Sequence, residues 1–210
     1  STLDEIEDYS FSGDLELEKM NIPKTISKLS HTAFINTPSL NSIMRESNNK
    51  FHVMENNEVY YKVGINQFLI FVPRNLKKFD VPQNCSVIAS GAFCGPNIEQ
   101  VKLPDISLNC IEKCGFSHST KLKKIFIPKS IKKIEEEAFI DCQNLEIVEF
   151  DHLCQLVELP KFCFAFSGLK KINLPESIQI INDSCFYFCT NLENVDLFNT
   201  NVKYIGNSAF

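Results

Sequence analysis

Along most of this chain the same string of apolar positions returns about every 23 residues, a spacing that marks tandem structural repeats. Read from Leu122 it is Leu-x-x-Ile-x-Ile-Pro-x-Ser-Ile-x-x-Ile-x-x-x-Ala-Phe-x-x-Cys, ending at Cys142, and it restarts at Leu145 and again at Leu169. Unit starts fall at Leu76, Ile98, Leu122, Leu145, Leu169 and Leu192, which by subtraction gives steps of 22, 24, 23, 24 and 23 residues. Within each unit the second and third apolar positions are Phe79/Val81, Val101/Leu103, Ile125/Ile127, Val148/Phe150, Ile172/Leu174 and Val195/Leu197. This period-2 alternation predicts a short strand with one face inward. Proline follows at Pro82, Pro104, Pro128 and Pro175; it has no amide hydrogen and a fixed φ, so it ends the strand.

A second apolar pair comes next, as in Ile131/Ile134 and Ile178/Ile181, and then an aromatic anchor at Phe93, Phe116, Phe139, Phe164, Phe186 and Phe210. The residue before each anchor is small: Ala92, Gly115, Ala138, Cys163, Cys185 or Ala209. A coil this short cannot bury its own apolar edge, so neighbouring coils must stack and share one core. The expected architecture is a solenoid, α/β or mostly β, with parallel stacked strands on one face and short helical turns opposite.

One domain over residues 1–210 is expected. Residues 1–16 form an N-terminal cap or flank, and 17–50 hold the first repeats, with Leu17, Met20, Ile22, Pro23, Ile26, Leu29, Ala33 and Phe34 in the familiar slots. Over 51–73 the pattern switches to alternating strands, roughly Phe51 to Met54, Val59 to Lys62 and Phe68 to Val72, broken by Asn56-Asn57 and Gly64. These predict an inserted antiparallel β-hairpin element near residues 51–72 that rejoins the solenoid near Pro73. Residues 74–210 carry about six repeats. Phe210 falls inside a repeat, so the chain is expected to be a piece of a longer repeat protein.

The repeat, with its closing cysteines, resembles the BspA-like, Treponema-type subclass of leucine-rich repeats from about Leu17 to Phe210, and the interruption through Val59-Tyr60-Tyr61-Lys62 is similar to a hairpin insert of that family. The resemblance implies a leucine-rich-repeat solenoid of a cell-surface or secreted protein that adheres to host proteins, extracellular matrix or other microbes, with glycan as another possible partner class. An intracellular scaffold or regulatory repeat protein is the alternative, compatible with unpaired cysteines and with no visible export signal.

A net charge of −5 and a pI near 5.4 supply no basic field for phosphate backbones, so nucleic acid is not an expected partner. No run of about 18 apolar residues exists, so no membrane insertion is expected of this stretch. The oligomeric state is left open.

The residue after each opening apolar position reads Lys77, Glu99, Lys123, Glu146, Lys170, Glu193, a strict alternation of sign. Strands about 4.8 Å apart would set each charge between two opposite ones, a ladder that penalises a one-coil slip. In the next outward positions Phe126 and Ile147 stand where polar residues are expected, flanked by Lys102, Lys124 and Lys171. These five are the expected partner-binding spot. Phe162, Phe166, Tyr187 and Phe188 surround the anchors of consecutive coils; they are expected chiefly to finish the core edge, with a contact surface as the second choice.

Catalysis is not expected. His31, His52, His118 and His152 fall in separate units, and no glycine-rich phosphate loop or nucleophile motif occurs. No cofactor is implied. Cys110, Cys114 and His118 could present three ligands on a helix, but tetrahedral zinc needs a fourth, and small buried thiols suit the repeat better. Cys163 and Cys185 share one column of adjacent coils and lie within possible disulfide reach, although two reduced packing thiols are the preferred reading. Asn84-Cys85-Ser86 and Asn182-Asp183-Ser184 match the glycosylation acceptor pattern.

Overall fold

The computed structural model describes residues 3–45, 51–53, 58–63, 65–95 and 97–210. Among them a front row of strands comprises Lys19–Ile22, Ser42–Arg45, Lys78–Asp80, Gln100–Lys102, Lys124–Ile127, Ile147–Phe150, Lys171–Asn173 and Asn194–Asp196. All the ladders between them are parallel and in register: Phe79 lies opposite Val101, and Ile125, Val148, Ile172 and Val195 form one continuous interior line. The repeat therefore closes one coil of the solenoid per unit. Ile125, Val148 and Ile172 are buried by the coils on either side, each such side chain contributing about 1.5–3 kcal/mol.

The face opposite the front row also carries strands. They are short: Glu5–Ile6, Lys28–Leu29, Asn66–Phe71, Val87–Ile88, Cys110–Ile111, Lys133–Ile134, Glu158–Leu159, Ile180–Ile181 and Tyr204–Ile205. No helix occurs among the described residues, which corrects the expectation of short helical turns. The hydrogen bonding of the turn around each phenylalanine gives the reason. In one coil the amides of Glu137, Phe139 and Asp141 donate to the carbonyls of Lys161, Cys163 and Ala165 in the next, while the intervening Ile140 amide bonds back to Glu137 within the turn. A helix needs successive amides to bond inside their own segment. Glu137 and Asp141, two residues either side of Phe139, also take left-handed φ of 60° and 57°, which breaks any right-handed helix. Cys114/His118, Phe162/Phe166 and Ser184/Phe188 repeat the device around Phe116, Phe164 and Phe186.

The anchors themselves build an aromatic column. Neighbouring rings from Phe116 through Phe139, Phe164 and Phe186 to Phe210 are stacked nearly parallel, with centroids 5.1–5.5 Å apart. Stacked coils force this face-to-face arrangement, since each anchor occupies the same slot.

The insert is antiparallel as expected, but it rejoins the solenoid earlier than Pro73. Phe51–Val53 pairs with Val59–Val63, and Val59–Val63 with Asn66–Phe71. This last strand also runs parallel to Val87–Ile88, with Leu69 opposite Ile88, so it is itself a rear strand of the solenoid. It divides its side chains between two packed clusters: Leu69 joins the long core that reaches Ala209, whereas Ile70 and Phe71 join the smaller core around Ile22, Leu29 and Phe34.

From Phe71 the chain passes almost directly to Leu76, without the usual phenylalanine turn. Arg74 fills the gap. Its buried guanidinium donates to the carbonyls of Ala92 (2.7 Å), Gly91 (3.1 Å) and Phe34 (3.4 Å) and lies 4.9 Å from the Phe71 ring centre. Burial lowers its pKa to about 10. Gly95 leaves room for it, since a Cβ there would come within 2.8 Å of the Arg74 Cδ.

Candidate partner-binding surfaces

On the front face, strand register decides which of the expected spot's residues meet. Lys124, Ile147 and Lys171 form one cross-strand row. Phe126 stands two residues along from Lys124, opposite Glu149, and is 44% exposed. Lys102 pairs with Asp80 on the other side; its strand neighbours Lys124–Ile127 without forming a ladder with it. Lys124 reaches diagonally to Glu149, Nζ to Oε1 2.6 Å, so one expected cationic flank is neutralised within the sheet. Two pairs of the alternating charge column also close, Lys77 with Glu99 at 3.7 Å and Lys170 with Glu146 at 2.9 Å. Exposed pairs of this kind contribute about 0–1 kcal/mol each and chiefly fix register.

An aromatic surface lies at the edge where the phenylalanine turns emerge. Phe162, Phe166, Tyr187 and Phe188 do not finish the core, contrary to the preferred expectation: all are exposed, Phe188 by 58%. Phe166 stacks on Phe188 with centroids 5.5 Å apart and meets Tyr187 edge-on at 5.6 Å, while Tyr187 and Phe188 touch at 4.9 Å. Phe162, Phe166 and Phe188 have left-handed backbones, φ 53°, 58° and 56°, a conformation that costs a bulky residue about 1–2 kcal/mol. The slots either side of the anchor turn outward because the backbone is left-handed there. The sequence carried a signal for this, because the same slots in the preceding coils hold His118, Glu137 and Asp141, side chains suited to solvent. Along one edge the slot two after the anchor passes from the His118–Asp141 pair, Nδ1 to Oδ2 2.7 Å, to Phe166 and Phe188.

An open groove of about 810 Å³ lies near the N-terminal coils, lined by Glu7, Asp8, Ser30, His31, Ser90 and Glu112 among others. The Asp8 carboxylate accepts hydrogen bonds from Ser30 and Thr32, which hold its pKa below the usual range. Glu112 accepts from the Ser90 amide (3.0 Å) and hydroxyl (3.3 Å) and contacts His31 Nδ1 at 3.3 Å. Burial would raise its pKa, but His31 and the two Ser90 donors together pull it below the ordinary value. The carboxylate thus sits between serine and imidazole. A nucleophilic serine needs the imidazole in that middle place, so this trio does not match a hydrolase triad.

The possible zinc trio does not converge. Its i, i+4, i+8 spacing shares a face only on a helix, whereas Cys110 lies on a rear strand and Cys114 and His118 occupy left-handed turn positions. The Cys114 thiol points to Glu137 and His118 to Asp141. Among the described residues no three potential ligands come together. His52 lies where no side chain is described.

The solenoid closes one coil per 23-residue unit around a phenylalanine column, and a family model for the BspA type leucine rich repeat region matches residues 1–70, 63–157 and 116–210 in six copies. The chain belongs to the BspA-type leucine-rich-repeat family. Among solved structures it is similar to a leucine-rich repeat protein from Eubacterium ventriosum, with 20% identity and a TM-score of 0.84 over 100% of this chain and 62% of that one. A leucine rich cell surface protein from Faecalibacterium prausnitzii matches at 25% identity and a TM-score of 0.64, covering 98% of this chain and 52% of its own. A pneumococcal vaccine antigen matches at 21% identity and a TM-score of 0.62, covering 98% and 60%. The chain thus spans between half and two thirds of these relatives' length. No curated protein sequence matches it. Among the described residues no helix is long and apolar enough to cross a membrane.

Proposed function

We propose that this BspA-type solenoid is a non-catalytic recognition module of a surface-displayed protein, and that it captures protein partners on the exterior of its coils. The observation that carries the reading is the aromatic edge, where Phe166, Tyr187 and Phe188 pack on one another yet remain exposed, two of them in left-handed backbone. A bulky aromatic held in strained backbone with much of its ring open to water is costly to the isolated chain, and aromatic residues of this kind anchor protein interfaces. The description of one structural neighbour as a cell surface protein and of another as a vaccine antigen supports display outside the cell. The front-face spot of Lys102, Lys124, Phe126, Ile147 and Lys171 is the second contact region, its exposed ring and half-buried isoleucine flanked by cationic side chains.

The test is binding of the chain to immobilised extracellular-matrix proteins and to a glycan array. Phe166→Ser with Phe188→Ser should weaken capture of a protein on the panel at least tenfold with the fold intact by circular dichroism. The Lys124→Ala, Phe126→Ala, Ile147→Ala variant should weaken it less. Binding that is unchanged in both variants, or confined to glycans, would reject the reading.

A further inference from the structure

We propose that Cys163 and Cys185 are the site of a cross-coil disulfide that ties together the two coils carrying the aromatic edge. Among the nine cysteines these two alone occupy the same slot of neighbouring coils, immediately before the stacked anchors Phe164 and Phe186. The coils are already locked together there: the Phe164 amide donates to the Cys185 carbonyl at 2.8 Å, and the two anchor rings are 5.5 Å apart. A coil spacing of that size falls inside the Cα separation of about 4.4–6.8 Å that disulfides span. Both thiols are fully buried. Burial first, and then the adjacent Cys185 thiol, hold the Cys163 thiol well above its usual pKa, as expected of two sulfurs side by side.

The other buried thiols are placed differently. Cys142 and Cys189 share the slot three residues after the anchor but lie two coils apart, with Ser167 between them. Each donates to a carbonyl, of Phe116 and Phe164 respectively, at 3.1 Å. Packing alone does not call for sulfur in the slot before the anchor, since Ala92, Gly115, Ala138 and Ala209 fill it elsewhere. Phe162 and Phe166 flank Cys163, and Tyr187 and Phe188 closely follow Cys185. A bond between the cysteines would therefore fix the spacing of the two halves of the aromatic edge.

With glutathione disulfide as oxidant, the Cys163 thiolate attacks one glutathione sulfur and expels a glutathione thiolate. The Cys185 thiolate then attacks the Cys163 sulfur of the mixed disulfide, forming the Cys163–Cys185 bond and releasing the second glutathione. Two electrons pass from the cysteines to one glutathione disulfide, and the two thiol protons end on the released glutathiones. Because both thiols are buried in the folded chain, closure belongs to folding, and the finished bond is shielded from reductants.

The test is independent of the binding role. The full chain is refolded from reduced, denatured protein in a glutathione redox buffer, free thiols are alkylated, and peptides are mapped by mass spectrometry. The expected product joins Cys163 to Cys185 and leaves the remaining cysteines alkylated. It should also melt higher than the same protein refolded in dithiothreitol, a difference absent from the Cys163→Ala, Cys185→Ala variant. Cys142→Ala should leave the bond intact. Alkylation of both Cys163 and Cys185, or their linkage to Cys142, Cys189 or glutathione instead, would overturn the proposal.

Discussion

The ring of Phe116 lies flat on that of Phe93, with 4.5 Å between centroids and 5° between planes. This contact belongs to a column in which every interior ring is covered on both faces. Phe139→Ala should therefore cost about 3–5 kcal/mol, the usual range for emptying a buried aromatic site. Phe210→Ala, at the half-exposed end of the column, should cost much less. Urea denaturation of the two variants checks this, and equal losses would mean that the stack is not what holds the coils together.

Arg74 is a buried cation bonded to carbonyls that each keep another donor: the Val72 amide for Ala92, the Thr37 hydroxyl for Phe34 and the Cys94 amide for Gly91. Its volume should therefore matter more than its charge. Arg74→Met is expected to be close to neutral, as replacing a buried charge by an apolar side chain of similar volume often is, whereas Arg74→Ala should lose about 2–5 kcal/mol to the cavity. Equal destabilisation of the two would return the weight to the guanidinium. Gly91→Ala should also unfold more readily, because its φ of 69° suits glycine and a Cβ would meet Ile35 Cγ1 at 2.4 Å.

Tyr60 is fully buried, and among the described residues its hydroxyl has no hydrogen-bond partner. Burial, and after it the Glu58 carboxylate, push its pKa far up. Removing an unsatisfied hydroxyl is neutral or stabilising by up to about 1 kcal/mol, so Tyr60→Phe should raise the urea midpoint or leave it unchanged. A clear fall would reveal a partner for the hydroxyl.

Glu112 fixes the sign of one part of the acid response. Its folded pKa lies below its unfolded one, near 4.3, so its ionised form stabilises the fold above about pH 4.3 and that contribution is lost as pH falls through the folded pKa. Glu112→Gln should destabilise the chain at pH 7 by about 1 kcal/mol, the scale of one charge-assisted hydrogen bond. It should also flatten the loss of stability below about pH 4.3. Parallel pH curves for the two proteins would refute this assignment.

The solenoid was legible because its causes are local and repeated. Ile125, Val148, Ile172 and Val195 must face inward in every coil, and Phe139 or Phe164 must fill the same slot each time, so the period reports the stacking directly. The antiparallel insert was legible from alternation around its turn residues. The character of the rear face was not. A segment such as Glu135-Glu136-Glu137-Ala138-Phe139 contains good helix formers, and its amide bonds to Ile111 in the coil before and to Lys161 and Cys163 in the coil after hold it in a left-handed-punctuated turn.

The same division runs through the candidate surfaces. Sequence by itself determined that coils stack, which side chains line the interior and where the family's hairpin interrupts them, because burying a one-sided apolar edge leaves few alternatives. Tertiary structure decided that Glu149 takes up Lys124, that Arg74 replaces a missing turn, and that Phe166, Tyr187 and Phe188 gather on the outside. Those outcomes depend on contacts between coils, 17 to 40 residues apart along the chain, and on backbone handedness, and neither is encoded in the spacing of hydrophobic positions.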